Sequence, residues 1–105
     1  MIRTLQMEVE EWQKRNFFNK KPHQPLLGIV EEVGELSHAH LKLEQGIRGT
    51  PQEHKLAKVD AVGDIVIYLC DYCTQNNIDL QAAVMSTWDA VKRRDWVKNK
   101  ENGQC

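Results

Sequence analysis

Leu26-Leu27-Gly28-Ile29-Val30-Glu31-Glu32-Val33-Gly34-Glu35-Leu36 decides how the chain is read. At about 100° per residue, Leu26, Ile29, Val30, Val33, Leu36 and His40 fall on one helical face. Glu32 lies at the border of that face. Glu35 follows one turn on, beside Gly28 and Ala39, and pairs with Glu32 at i, i+3, so both carboxylates point the same way. An amphipathic helix with acids at the edge of its apolar stripe is therefore expected.

A second stretch has the same character. Val59, Val62, Gly63, Val66, Leu69, Cys70 and Cys73 make an apolar face. Asp60, Asp64 and Asp71 share a stripe roughly 40° wide along its edge. Asp64 interrupts the run Ala61-Val62-Gly63-Asp64-Ile65-Val66-Ile67, where an unpaired charge would be costly. Gly34 and Gly63 each cost about 1 kcal/mol in a helix interior. Their position beside acids predicts that a neighbour or ligand approaches closely there.

Working outward, helical periodicity covers nearly the whole chain. Helix one is expected over Ile2 to Arg15. A loop containing His23 follows from Asn16 to Gln24, and Pro25 opens helix two, which runs to about Glu44 with Gly46 just beyond. Thr50-Pro51-Gln52-Glu53 spells a capping box for helix three, which ends near Asn76-Asn77. Asp79 is the expected N-cap of helix four, reaching about Trp96. Residues 1–97 make one domain and 98–105 a polar tail expected to fray. The fold class predicted is all-α, a four-helix antiparallel bundle whose small core is completed by oligomerisation.

Composition narrows the function. The chain has 105 residues, 41% hydrophobic and 28% charged, which suits one globular domain rather than a disordered segment. A formal net charge of −1 gives no global basic field, which argues against nucleic-acid binding through Lys92 to Lys100. No apolar run is long enough to cross a membrane and the N-terminus has no signal-peptide core, so a cytoplasmic location is expected. Cys70 and Cys73 spell a CxxC. No second half completes a zinc site, and the pair reads better as small apolar residues on an inner face.

Packing helix two on helix three would gather Glu32, Glu35, Asp60 and Asp64. Four carboxylates side by side call for cations, and hard oxygen donors favour Mg²⁺, with Mn²⁺ as a substitute. These residues resemble the MazG-like family of all-α nucleoside triphosphate pyrophosphohydrolases. Its pattern is EExxE followed, after a spacer, by ExxD. Glu31-Glu32-Val33-Gly34-Glu35 matches the first half. Gly63 and Asp64 match the second, while the family's Glu falls at Ala61, with Asp60 as the substitute ligand. Trp12 is similar to a Trp of the smaller members, and the segment Trp88 to Trp96 resembles the family's basic C-terminal part.

The resemblance implies a Mg²⁺-dependent hydrolase that cleaves nucleoside triphosphates to monophosphate and pyrophosphate. It implies metal binding by Glu32, Glu35, Asp60 and Asp64, with Glu31 or Glu35 assisting the attacking water. Lys92, Arg93 and Arg94 would meet the phosphates and Trp12 the base. A homodimer or homotetramer is also implied. Two rival readings remain. A di-iron bundle would need a second ExxH beside Glu35-Leu36-Ser37-His38, and none is present. A non-catalytic helical interaction protein with a regulatory cation site is the other alternative, and Ala61 keeps it open.

Overall fold

The computed structural model describes residues 1–104; Cys105, the last residue of the expected tail, lies outside them. Four helices follow one another: α1 (Ile2–Asn16), α2 (His23–Gln45), α3 (Pro51–Gln75) and α4 (Leu80–Val91). The architecture is all-helical, as expected.

The α2–α3 hairpin dominates. Gly46 ends α2 in the left-handed region, φ 67°, and its N–H is received by the carbonyls of Lys42 and Leu43. Thr50 then caps α3. Its hydroxyl accepts from the Glu53 N–H at 3.1 Å, while the Glu53 carboxylate accepts from the Thr50 N–H at 3.4 Å. Thus Glu53 is a capping residue. His54, in the first turn of α3, is buried and reaches the Ile47 carbonyl at 3.0 Å, tying the turn to the helix.

The register of the hairpin is set at Gly28. A Cβ built there would lie 2.5–2.7 Å from the Tyr68 ring, so only glycine lets the ring lie against α2. Close approach was expected instead at Gly34 and Gly63. Both face open space, with nothing within 4 Å of a built Cβ.

The seam also differs from the expected one. On α2 the buried residues are Pro25, Glu32 and Ala39; on α3 they are His54, Ala61, Cys70, Asp71 and Cys73. Val30 and Val59 are 64% and 71% exposed, and Leu26, Val33, His40, Val62 and Val66 are exposed too. Small residues and a ring let the backbones close on the acidic edge, which turns the branched apolar stripe away. The radius of gyration is 17.4 Å, against about 13 Å for a compact chain of this size. The helices form an open array.

The core of the chain lies where α1 crosses the C-terminal half of α3. Val9, Cys70, Cys73 and Leu80 pack together, with Ile2, Leu5, Leu69 and Tyr72 around them. Both cysteines are buried free thiols, and burial pushes both thiols up, so the CxxC is packing rather than a redox pair. Gln6 fastens α1 to the α3–α4 corner. Its amide donates to Thr74 Oγ1 at 3.2 Å and to the Ile78 carbonyl at 2.8 Å, and its oxygen accepts from the Leu80 N–H at 2.9 Å. Arg3 adds an ion pair to Asp79 at 2.9 Å, whose carboxylate also caps α4 through the Ala82 N–H.

Helix α4 leans chiefly on α1 and ends at Val91, about five residues before the expected end. The chain then turns. Asp95 accepts from the N–H groups of Val97 and Lys98, and its own N–H donates to the Gly103 carbonyl at 2.7 Å. The left-handed Gly103, φ 72°, lies against the Trp96 ring. These local bonds outcompete continuation of the helix.

Gln6→Leu leaves the buried Leu80 N–H without its acceptor. It should lower unfolding free energy by about 1–3 kcal/mol in urea titrations followed by circular dichroism.

Candidate active site

The acidic edge of the hairpin opens into a cleft of about 740 Å³ between α1, the loop 17–22, α2 and α3. One wall is aromatic. Trp12 and Phe17 meet edge to face with centroids 5.8 Å apart, and Phe18 and Tyr68 continue the lining. Trp12 is 45% exposed, so it is not a core residue. Glu32 and Asp64 line the same cavity.

Glu31, Glu32 and Glu35 each present an oxygen within 4.8 Å of the others. Asp64 faces Glu32 across the seam. Glu32, expected at the border, is 8% exposed, and its Oε2 is buried without a hydrogen-bond partner. Burial first, then the charges of Glu35 and Asp64, the hydrogen bond with Glu35 and the charge of Glu31, hold its carboxyl above the usual range. The Tyr68 phenol is pushed up too, by burial and then by Glu31, Glu32, Asp64 and Glu35, so the ring belongs to the same field.

An orphaned buried carboxylate oxygen among other carboxylates fits a hard divalent cation: it supplies the donor type that Mg²⁺ takes, at a place no protein proton reaches. Asp60 is exposed and stands outside the group of three glutamates. Ala61, where the family has Glu, is buried on the seam. The Gly28–Tyr68 register sets position 61 level with Glu35.

Along α3 the aspartate stripe runs from solvent to interior: Asp60 is exposed, Asp64 half-buried, Asp71 buried. Asp71 is paired with Lys20 at 2.5 Å and accepts from the Gln75 amide at 3.2 Å; Lys20 also donates to Gln13. Lys20 was missed in the sequence, as were Phe17, Phe18 and Tyr68. Two phenylalanines in an otherwise polar loop were the available signal, and for Tyr68 its place between Asp64 and Asp71 on one stripe. Lys92, Arg93 and Arg94 follow α4 and do not line this cleft. Lys92 pairs with Asp89 at 2.9 Å. His23 begins α2 rather than sitting in the loop.

Helices that bring a carboxylate group against an aromatic-walled cleft make up a site suited to a phosphate-bearing, ring-containing ligand held through a cation. No protein-family model matches the chain. It is similar to dCTP pyrophosphatase 1 of Mus musculus, 32% identical over 89 residues, which cover 79% of this chain and 52% of that enzyme. The Homo sapiens dCTP pyrophosphatase 1 is 35% identical over 78 residues, covering 69% of this chain and 46% of the enzyme. The chain is thus similar in part to these pyrophosphatases and spans about half the length of the relatives it matches.

Two outcomes follow from the geometry. A carboxyl raised in the folded state binds its proton there while the unfolded chain has released it. Stability of the metal-free protein therefore falls as pH rises from the ordinary glutamate range through the raised value of Glu32. Glu32→Gln should flatten that fall and raise the melting temperature in EDTA at neutral pH. Asp71→Ala, which strands Lys20, should cost on the order of 3 kcal/mol in chemical denaturation.

Proposed function

We propose that the protein is a divalent-cation-dependent nucleoside triphosphate pyrophosphohydrolase, converting a (d)NTP and water to the monophosphate and pyrophosphate. The observation that carries this reading is the unpartnered Glu32 oxygen, set among Glu31, Glu35 and Asp64 on the wall of an aromatic cleft. The similarity to the dCTP pyrophosphatases supports it, and makes dCTP the first substrate to try.

Glu32, Glu35 and Asp64 would hold Mg²⁺, with Mn²⁺ as a substitute; Asp60, one turn before Asp64 on α3, is the fourth candidate ligand. Bound there, the cation would neutralise phosphate charge and lower the pKa of water. Glu31 or Glu35 accepts a proton from the water that attacks the α-phosphorus. The bond from that phosphorus to the bridging oxygen breaks and pyrophosphate leaves. Trp12, Phe17 and Tyr68 hold the base and keep bulk water from the reacting end.

The open array supports the oligomer. Branched side chains of α2 and α3, together with Val84, Met85 and Trp88 of α4, are exposed on one chain, a larger apolar surface than a monomer ordinarily leaves in water. A second copy covers it, as a dimer or tetramer, and brings Lys92, Arg93 or Arg94 toward the phosphates that this chain's own cleft leaves without them. Among the described residues, no helix is long and apolar enough to cross a membrane. A cytoplasmic role in nucleotide metabolism accords with this activity.

Incubated with dCTP and other (d)NTPs, the protein should release pyrophosphate with Mg²⁺ and none with EDTA. Glu35→Ala and Asp64→Ala should each lower kcat on the order of 100-fold or more. Orthophosphate as the only product would overturn the α-phosphate reaction. Turnover of no nucleotide, with Mg²⁺ still raising the melting temperature, would favour a non-catalytic cation-binding role. Light scattering should give twice or four times the 12.2 kDa of one chain.

A further inference from the structure

The far end of the cleft holds a charged pair that the hydrolytic reading does not use. Lys20, from the loop between α1 and α2, meets Asp71 of α3 with side chains 14% and 4% exposed, and both line the cavity. Such a pair carries a desolvation cost that a surface pair does not. It is nevertheless incompletely satisfied. The Lys20 ammonium has three protons and gives two, to Gln13 Oε1 and Asp71 Oδ2. The Asp71 carboxylate accepts from Lys20 and from the Gln75 amide, leaving lone pairs on both oxygens. A spare donor thus stands beside a spare acceptor.

Their distance from the carboxylates is informative. Asp64 and Asp71 are seven residues apart on one helix, about 10 Å along its axis. Tyr68 lies between them on the same side, and Trp12 and Phe17 stand on the same cavity. A nucleotide with its α-phosphate at Glu32 and Asp64 and its ring against these aromatic side chains extends its hydrogen-bonding edge to Lys20 and Asp71.

We infer that the Lys20–Asp71 pair reads the edge of the nucleobase, Lys20 donating to a ring nitrogen and Asp71 accepting from the neighbouring exocyclic amino group. This rests on the reading of the cleft as a nucleotide site and adds the group that selects among bases. A ligand whose edge lacks the N–H leaves the Asp71 acceptor facing an apolar atom, and is rejected. The recognised class is a base with an exocyclic amino group beside an acceptor ring nitrogen, as in an aminopyrimidine; uracil and thymine lack that pair.

The test compares deoxycytidine with its 2-pyrimidinone analogue, which differs only in lacking the amino group. Each is titrated into metal-free protein, with the Trp12 indole signal followed by NMR. Losing one member of the pair strands the other, so the variant is Lys20→Met/Asp71→Leu, which replaces both with apolar groups of similar size. Its circular dichroism and melting curve verify the fold. The parent should bind deoxycytidine about tenfold or more tightly than the analogue, and the double variant should bind the two equally. A parent that does not discriminate, or a double variant that discriminates as well as the parent, overturns the inference. Hydrolysis separates the two readings. Discrimination between nucleosides without turnover of any triphosphate sinks the hydrolase and leaves the base reader standing. Turnover with unchanged kcat/KM ratios among bases in the double variant does the reverse.

Discussion

The contact of the Tyr68 ring with the bare backbone of Gly28 governs the molecule. It fixes how α2 and α3 slide against each other, and with that Glu32 and Asp64 come opposite one another. The same contact presses the acidic edges of the two helices together while their branched apolar stripes diverge. A carboxylate oxygen is thereby buried without a partner, at an energetic cost that a folded chain sustains only where something else balances it. Site and open face are two results of one packing choice.

The remaining elements serve that hairpin. Helix α1 spans the C-terminal half of α3 through Val9, Cys70 and Cys73 and supplies Trp12 to the aromatic lining. Gln6 satisfies three polar groups at the corner where α3 gives way to α4, so the corner is held by α1 rather than by itself. Helix α4 and the hook closed by Asp95 and Gly103 stand at the periphery, which is why the basic residues there do not reach the cleft of their own chain.

The helices were legible because their end signals are local: the Thr50–Glu53 box, Gly46 and Asp79 act within four residues of where they stand. The Glu32–Glu35 pair was legible for the same reason, since i, i+3 spacing places both by helix geometry alone. The packing face was not. Periodicity identifies an apolar stripe, but it does not say whether that stripe meets the next helix or a different surface, and here Ala39, Ala61 and Gly28 decided the matter by allowing closer approach. The Lys20–Asp71 pair depends on a loop folding over a helix fifty residues away, which no spacing encodes. The end of α4 was overrun because the bonds of Asp95 to Val97, Lys98 and Gly103 compete with helical ones only once the chain has turned.

The aromatic wall is a beam with two supports. Trp12 lies about 9 Å along α1 from the Gln6 anchor, so a slight tilt at that pivot is magnified at the ring. Beyond the ring, the Lys20–Asp71 pair steadies the other end through the loop. A ligand that takes the spare proton of Lys20 and the spare lone pairs of Asp71 ties the loop to α3 once more, so the width of the cleft and the identity of what fills it are mechanically linked.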